Sequence, residues 1–195
     1  RLEYNEGTLP AQIYCKGIPE ARRRVGRLMH RLKPSMSVLE VGANAGTFLK
    51  EIAPHVSSVM GVEPGNAHRA WADRELGLTM VKDIAELGDR TFDLIVFFHT
   101  LEHVGNPVEF LRSLSRFLAH GGIMVIEVPN LNDALVSLYK VPSYLSFYYQ
   151  KAHLHYFSGE TLAKTIAAAG GRAEITGVQR YDLSNHLYRA INGQP

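Results

Sequence analysis

Val38-Leu-Glu-Val-Gly-Ala-Asn-Ala-Gly46 is an apolar run that closes on acidic Glu40 and Val41 and then breaks into a turn with glycines at 42 and 46. The helix-like Thr47-Phe-Leu-Lys-Glu-Ile52 follows at once. A buried parallel strand feeding such a turn is how open α/β sheets bring backbone against a nucleoside-containing ligand. Gly42 and Gly46 remove the Cβ atoms that would block that approach. Asn44 stands where a third glycine is expected, and asparagine is among the residues that best tolerate left-handed backbone. Phosphate sites favour helix N-termini and basic groups. The carboxylate of Glu40, just before the turn, suits a cationic ligand instead.

Outward from this stretch the chain alternates strands and helices. Strands are expected at about 37–42, 58–63, 78–82, 92–98 and 122–128, and helices at about 46–53, 66–76, 107–119 and 158–169. A further helix is expected from Pro19 to Lys33, with Val25, Leu28, Met29 and Leu32 on one face. The last helix carries both signals, opening on Ser158-Gly-Glu-Thr and stopping at Ala169-Gly-Gly171. Such alternation predicts a mostly parallel sheet covered on both faces. Residues 130–157 break the pattern and carry Tyr139, Tyr144, Phe147, Tyr148, Tyr149, Tyr156 and Phe157. Insertions at the carboxyl ends of strands overhang the ligand crevice. A tyrosine-rich overhang makes a partly apolar wall with hydroxyl handles for an acceptor; equally, it packs a lid helix or a dimer contact.

The motifs fall in an order that resembles a known family. Glu40-x-Gly42-x-Asn44-x-Gly46 resembles the first motif of class I S-adenosylmethionine (SAM) methyltransferases, with one glycine replaced. Val59-Met-Gly-Val-Glu63-Pro64 resembles the second strand and its acidic end, and Lys82-Asp83-Ile84 follows a third apolar run. Phe92-Asp-Leu-Ile-Val-Phe-Phe98 then matches the fourth strand, and His99-Thr-Leu-Glu-His103-Val resembles the loop after it. Gly121 to Asn130 resembles the fifth strand and its exit, and His153-Leu-His155-Tyr-Phe-Ser the segment before the late helix. The likeness covers roughly residues 35–180. It implies a Rossmann-like α/β domain with a mostly parallel seven-stranded sheet and helices on both faces. Candidate strands at about 173–180 and 186–192 would supply its antiparallel edge.

The resemblance also distributes roles. Glu63 ends a strand, where its two carboxylate oxygens meet the hydroxyls of an adenosine ribose, with Pro64 beside it. Asp83 takes the place of the residue accepting from the adenine amine, and Ile84 that of the one packing on the ring. Glu40 orients the turn and faces the cationic amino group of the ligand's methionine portion. Gly42, Ala43, Asn44 and Gly46 contact the cofactor through backbone, and His99 and Leu101 belong to the same cofactor-binding set.

Methyl transfer from a sulfonium depends on alignment of acceptor, methyl and sulfur. A hydroxyl acceptor also loses a proton, and histidine is the usual base near neutral pH. Of nine histidines, His99, His103, His153 and His155 lie on loops expected near the crevice. His103, His153 and His155 are the candidate catalytic residues, although Leu101-Glu-His-Val104 also shapes cofactor pockets in this family. His153 and His155 alternate, so on a strand they share a face. That spacing can also bind metal, but no carboxylate partner is evident in the sequence. The magnesium-using members carry aspartates and asparagines where His99-Thr100 stands. No metal is expected.

Composition agrees with one domain spanning residues 1–195, with residues 1–34 as an N-terminal helical segment and 130–157 as a substrate-side insertion. Hydrophobic residues are 46%, charged residues 21% and net charge +2, an ordinary globular composition with no call for a polyanion partner. The single Cys15 excludes an internal disulfide and fits a reducing, cytoplasmic setting. No apolar run approaches the roughly 18 residues of a membrane span, and no signal peptide is recognised. Arg22, Arg23, Arg24, Arg27, Arg31 and Lys33 form the one basic cluster, expected as the solvated face of the first helix. Nothing accompanies it that would favour nucleic acid.

A nicotinamide dehydrogenase would need glycine at 44 and glycine or alanine at 47, where Asn44 and Thr47 stand. The expected function is SAM-dependent methyl transfer to a small-molecule or sugar-like acceptor, at oxygen. The alternatives are N- or C-transfer to a natural-product or nucleotide-sugar intermediate, or a non-catalytic SAM-binding domain. A homodimer, or attachment to a larger chain, fits the same sequence.

Overall fold

Five strands, β1 (Ser37–Val41), β2 (Ser58–Val62), β3 (Met80–Val81), β4 (Phe92–Phe98) and β5 (Leu118–Glu127), form one sheet. Their order is β3-β2-β1-β4-β5, and every pairing is parallel. The computed structural model describes residues 9–140 and 142–178. Helices α1 (Pro10–Leu28), α2 (Thr47–Ile52), α3 (Asn66–Leu76), α4 (Pro107–Ser115), α5 (Ala134–Ser137), α6 (Pro142–Tyr148) and α7 (Gly159–Ala168) complete the regular structure. The chain divides into two compact units: one runs to Thr100 and includes Ser113–Glu127, the other joins Leu101–Arg112 to the residues from Val128 onward.

The sheet unit is built as a parallel sheet demands. In β1 every residue after Ser37 is buried, so both of its faces are covered and the strand is a near-continuous apolar run. Val38, Leu94 and Val96 pack with Ala21, Val25 and Leu28 of α1 and with Phe48 and Ile52 of α2. A second cluster joins Ala43, Leu49, Ala72 and Leu78. The starts of β1 and β4 are stitched together, because Ser37 donates both its backbone N–H (2.8 Å) and its hydroxyl (2.9 Å) to Asp93 Oδ2. Those bonds hold the Asp93 carboxyl below its usual range.

Four boundaries differ clearly from the sequence expectation. α1 starts at Pro10, which fills the first-turn position where proline is at home. Pro19, read as that start, lies inside the helix. The helix also stops at Leu28 rather than Lys33. β5 begins at Leu118 and not near 122, and α4 is correspondingly shorter, because Gly121 and Gly122 are part of the strand and not of a loop. The β4–β5 register shifts between Phe92 and Leu94, and a Cβ at Gly122 would lie 3.0 Å from the Phe92 carbonyl oxygen.

In the second unit, Leu135, Val136, Tyr144 and Tyr148 form a small core with Leu145 and Tyr156 against it. A parallel bridge joins Asn130 to Phe157. At the expected start signal α7 has a capping box: Ser158 Oγ accepts from the Thr161 N–H at 3.2 Å, and Thr161 Oγ1 accepts from the Ser158 N–H at 2.8 Å. Residues 173–178 take no strand conformation. The rest of the two expected edge strands lies outside the described residues.

Candidate active site

Backbone conformation sets the turn after β1. Gly42 (φ 80°), Asn44 (φ 52°) and Gly46 (φ 77°) are all left-handed, so Asn44 takes the backbone conformation of the glycine it replaces. The N–H groups of Gly42 and Ala43 both donate to the Val62 carbonyl, at 2.8 and 3.1 Å. At Gly46 a Cβ would meet Leu78 Cδ1 at 2.6 Å and Met80 Cε at 2.7 Å, so those side chains would have to shift, and the φ of 77° would strain any residue with a Cβ.

Glu63, just past β2, grips the turn. Its Oε2 accepts from the Asn44 N–H at 2.9 Å and its Oε1 from the Gly65 N–H at 2.8 Å. Each oxygen retains a second lone pair, the chemistry needed for a pair of ribose hydroxyls. The carbonyls of Glu63 and Pro64 are in turn held by Arg69 Nη1, at 2.6 and 2.7 Å.

Glu40 is 6% exposed, and its Oε2 has no hydrogen-bond partner among the described residues. Burial pushes its carboxyl up to about 8; Arg24 and a backbone bond oppose the shift, and Glu63 adds to it. An orphaned carboxylate oxygen beside a glycine turn is a fit for a cationic group, as an α-ammonium would be. Asp83 is exposed, and its Oδ1 accepts from the Ala85 N–H at 2.9 Å, capping the short turn Ile84–Leu87; Ile84 is half-buried.

His99 follows β4 with φ 50°, unusual for a residue with a Cβ. Its Nε2 lies 3.1 Å from Glu127 Oε1, and its backbone N–H donates to the Glu127 carbonyl at 2.8 Å. Arg24 meets the same carboxylate with both arms, Nη2 to Oε1 at 2.6 Å and Nε to Oε2 at 3.2 Å. The guanidinium lies 4.2 Å over the Phe98 ring. Burial raises the Glu127 carboxyl, but the bonds from His99 and Arg24 outweigh it and hold the group well below the usual carboxylate range.

Arg22, Arg27, Arg31 and Lys33 are exposed, as expected for most of the basic cluster, but Arg24 is not part of that solvated face. Its side chain is only 14% exposed. The signal was present: residue 24 shares a helical stripe with buried Ala21, Val25 and Leu28. Arg22 pairs with Glu51 at 2.9 Å and Arg23 pairs with Glu20, so this run is spent on internal partners. Glu127 was likewise missed, although a carboxylate closing the apolar run Ile123–Ile126 marks a strand end.

The other unit holds the remaining candidates. Leu101 is fully buried and opens the turn Leu101–His103. Glu102 is 1% exposed, and its main-chain carbonyl accepts from the N–H groups of Leu154 (2.8 Å) and His155 (3.1 Å). His103 Nδ1 lies 2.8 Å from the Ala152 carbonyl, which can only accept. The proton is therefore on Nδ1 and the lone pair on Nε2. The His103 and His153 rings meet edge to face with centroids 4.8 Å apart.

One ligand-type atom from each of Glu102, His103 and His153 lies within 4.8 Å of the others. The expected pairing of His153 with His155 on a strand face is corrected. The backbone there is bent rather than extended, so alternation does not apply. His155 Nε2 approaches the Gly105 carbonyl at 3.4 Å instead. The carboxylate partner that the sequence did not reveal is Glu102. Of the tyrosines, Tyr144 and Tyr148 are core, whereas Tyr139 and Tyr149 are exposed, with Leu138 and Leu154.

The sheet order, the left-handed turn and the acidic residue just past β2 are the features of the class I methyltransferase fold. The chain belongs to the family described as "Methyltransferase domain", matched over residues 16–172. It is 24% identical over 164 residues to the ubiquinone biosynthesis O-methyltransferase of Rhizobium etli strain CIAT 652, covering 77% of this chain and 66% of that one. The chain thus spans just under two thirds of that relative's length, and 46% of the related Caulobacter protein.

Among solved structures, a SAM-dependent methyltransferase from Archaeoglobus fulgidus superposes with TM-score 0.63 at 22% identity, over 90% of this chain and 84% of that one. The sugar N-methyltransferase KedS8 of Streptoalloteichus sp. ATCC 53650 gives 0.52 at 23% identity, over 62% and 53%. Among the described residues no helix is long and apolar enough to cross a membrane.

Proposed function

We propose that this chain transfers the methyl group of SAM to a hydroxyl of a small-molecule or sugar-like acceptor. The observation that carries the preference for oxygen is the buried Glu102 carboxylate beside two imidazoles, one of them in a fixed tautomer. The curated relatives, named ubiquinone biosynthesis O-methyltransferases, support the same choice. When bound, the cofactor supplies a methyl group already activated on a sulfonium.

The residues then divide the work. Backbone at Gly42, Ala43, Asn44 and Gly46 lies against the cofactor, Glu63 takes the ribose hydroxyls, and Asp83 with Ile84 frames the adenine. Pro64, His99 and Leu101 complete the lining. Glu40 faces the ammonium. His103, His153 and His155 hold and orient the acceptor hydroxyl, and no metal takes part. The whole forms one domain, with the N-terminal helical segment as a preface and 130–157 on the acceptor side. Exposed Leu138, Tyr139, Tyr149 and Leu154 offer an apolar surface for the acceptor or a second copy.

A second reading, transfer to an amine, is favoured by the likeness to a sugar N-methyltransferase. Incubating the chain with SAM and a panel of catechols, nucleotide sugars and amino sugars separates the two. Mass spectrometry locates the added methyl. O-methylated product is expected; methylation confined to amines would establish the second reading.

A further inference from the structure

We infer that His99, held by Glu127 and Arg24, is the base that takes the acceptor's proton. The inference rests on the proposal of transfer to oxygen. It adds a catalytic residue to a position first read as cofactor lining.

Four features of the sheet unit converge on it. First, the ring is backed. A carboxylate oxygen can only accept, so Nε2 at 3.1 Å from Glu127 Oε1 carries a hydrogen, and in the neutral ring the lone pair falls on Nδ1. Second, the carboxylate cannot swing away. Arg24 grips both of its oxygens, and Glu20 Oε1 lies 3.6 Å from Arg24 Nε on the far side. Third, the backbone is constrained. A histidine at φ 50° persists only where its surroundings hold it, and here the His99 N–H bonds to the Glu127 carbonyl at 2.8 Å. Fourth, the residue is tied to the cofactor turn. Thr100 Oγ1 donates to the Val41 carbonyl at 3.2 Å, one residue before Gly42. The His99 side chain is 34% exposed.

The groups charged around this ring are Glu127 from β5 and Arg24 and Glu20 from α1, with Glu40 of β1 also within the field of Arg24. An imidazole that gains a proton here becomes a cation next to a fixed anion, which favours proton acceptance. The step balances simply. The acceptor O–H bond breaks and its proton goes to His99 Nδ1. The oxygen pair forms the new C–O bond as the C–S bond breaks, its electrons remaining on sulfur. Glu127 and Arg24 position the ring and exchange no proton.

The test uses the full chain. With the demethylated cofactor bound, 15N NMR of the histidine rings should show His99 protonated at Nε2 and bare at Nδ1 near pH 8. The opposite tautomer overturns the assignment. His99→Gly retains the left-handed backbone without the ring. With catechol as acceptor it should lose roughly a hundredfold or more in kcat, lose no more than about tenfold in affinity for the demethylated cofactor, and recover activity on addition of imidazole. Glu127→Gln should lower kcat more than KM and move the acid limb of the pH–kcat profile. A His99→Gly variant as fast as the native chain, or one whose loss is wholly a loss of cofactor affinity, overturns the inference. If the native chain methylates no hydroxyl at all, the O-transfer reading fails by itself, and with it the role of His99 as base. The tautomer would then survive only as a structural feature.

Discussion

Glu63 Oε2 accepts the backbone N–H of Asn44 at 2.9 Å, so the acidic end of the second strand clamps the turn after the first. One side chain thus shapes the cradle and is the one proposed to take the ribose hydroxyls. Glu63→Ala is expected to weaken SAM binding more than tenfold, about 1.4 kcal/mol or above, by calorimetric titration. Unchanged affinity would move the ribose elsewhere.

Gly42 has φ 80°, a conformation that a β-branched residue does not adopt without strain. Gly42→Val should therefore abolish measurable SAM binding while far-UV dichroism shows the sheet intact. Gly42→Asn, which tolerates that backbone as Asn44 does, should retain part of it.

Glu40 predicts a stability that depends on pH. Its folded carboxyl titrates near 8, against 4.5 for the ordinary group. Between those values the unfolded chain releases a proton that the folded chain keeps. Stability therefore falls as pH rises through that window, with a slope of at most ~1.4 kcal/mol per pH unit. Urea unfolding from pH 4 to 9 measures the slope, and Glu40→Gln should remove this contribution. A cationic ligand beside Glu40 should also expel its proton, seen as a buffer-dependent binding enthalpy at pH 7.

His103→Ala should leave SAM affinity within about twofold while lowering turnover at least tenfold. A matching fall in affinity would place His103 in the cofactor pocket.

Metal removal is the test of the Glu102–His103–His153 group, whose atoms are the kind that also bind divalent cations. Dialysis against a chelator is expected to leave turnover unchanged. Loss of activity restored by manganese or zinc would assign the three to a cation.

The elements that the sequence declared were those with local causes. The glycine turn, the strand-ending Glu63 and the capping box at Ser158 are each written in a few adjacent residues. The site residues it hid are paired across long stretches of chain. Arg24 finds Glu127 at a separation of 103 residues, and a run of three arginines reads as solvent-facing until the helix phase is set. Glu102 was visible, but its direction depended on the backbone contacts of Leu154 and His155. The His153–His155 pairing failed because alternation presumes a strand, and this segment bends.

The sheet unit is not a contiguous piece of chain: it closes only when Ser113–Glu127 returns after an excursion through Leu101–Arg112. No single cut can therefore release it whole. During synthesis the strand that carries Glu127 emerges more than a hundred residues after the helix that carries Arg24, leaving the guanidinium to wait in water for its counter-charge. Burial of that arginine is thereby made conditional on β5, and truncations that stop short of residue 127 should yield an insoluble or protease-sensitive chain, not a smaller domain.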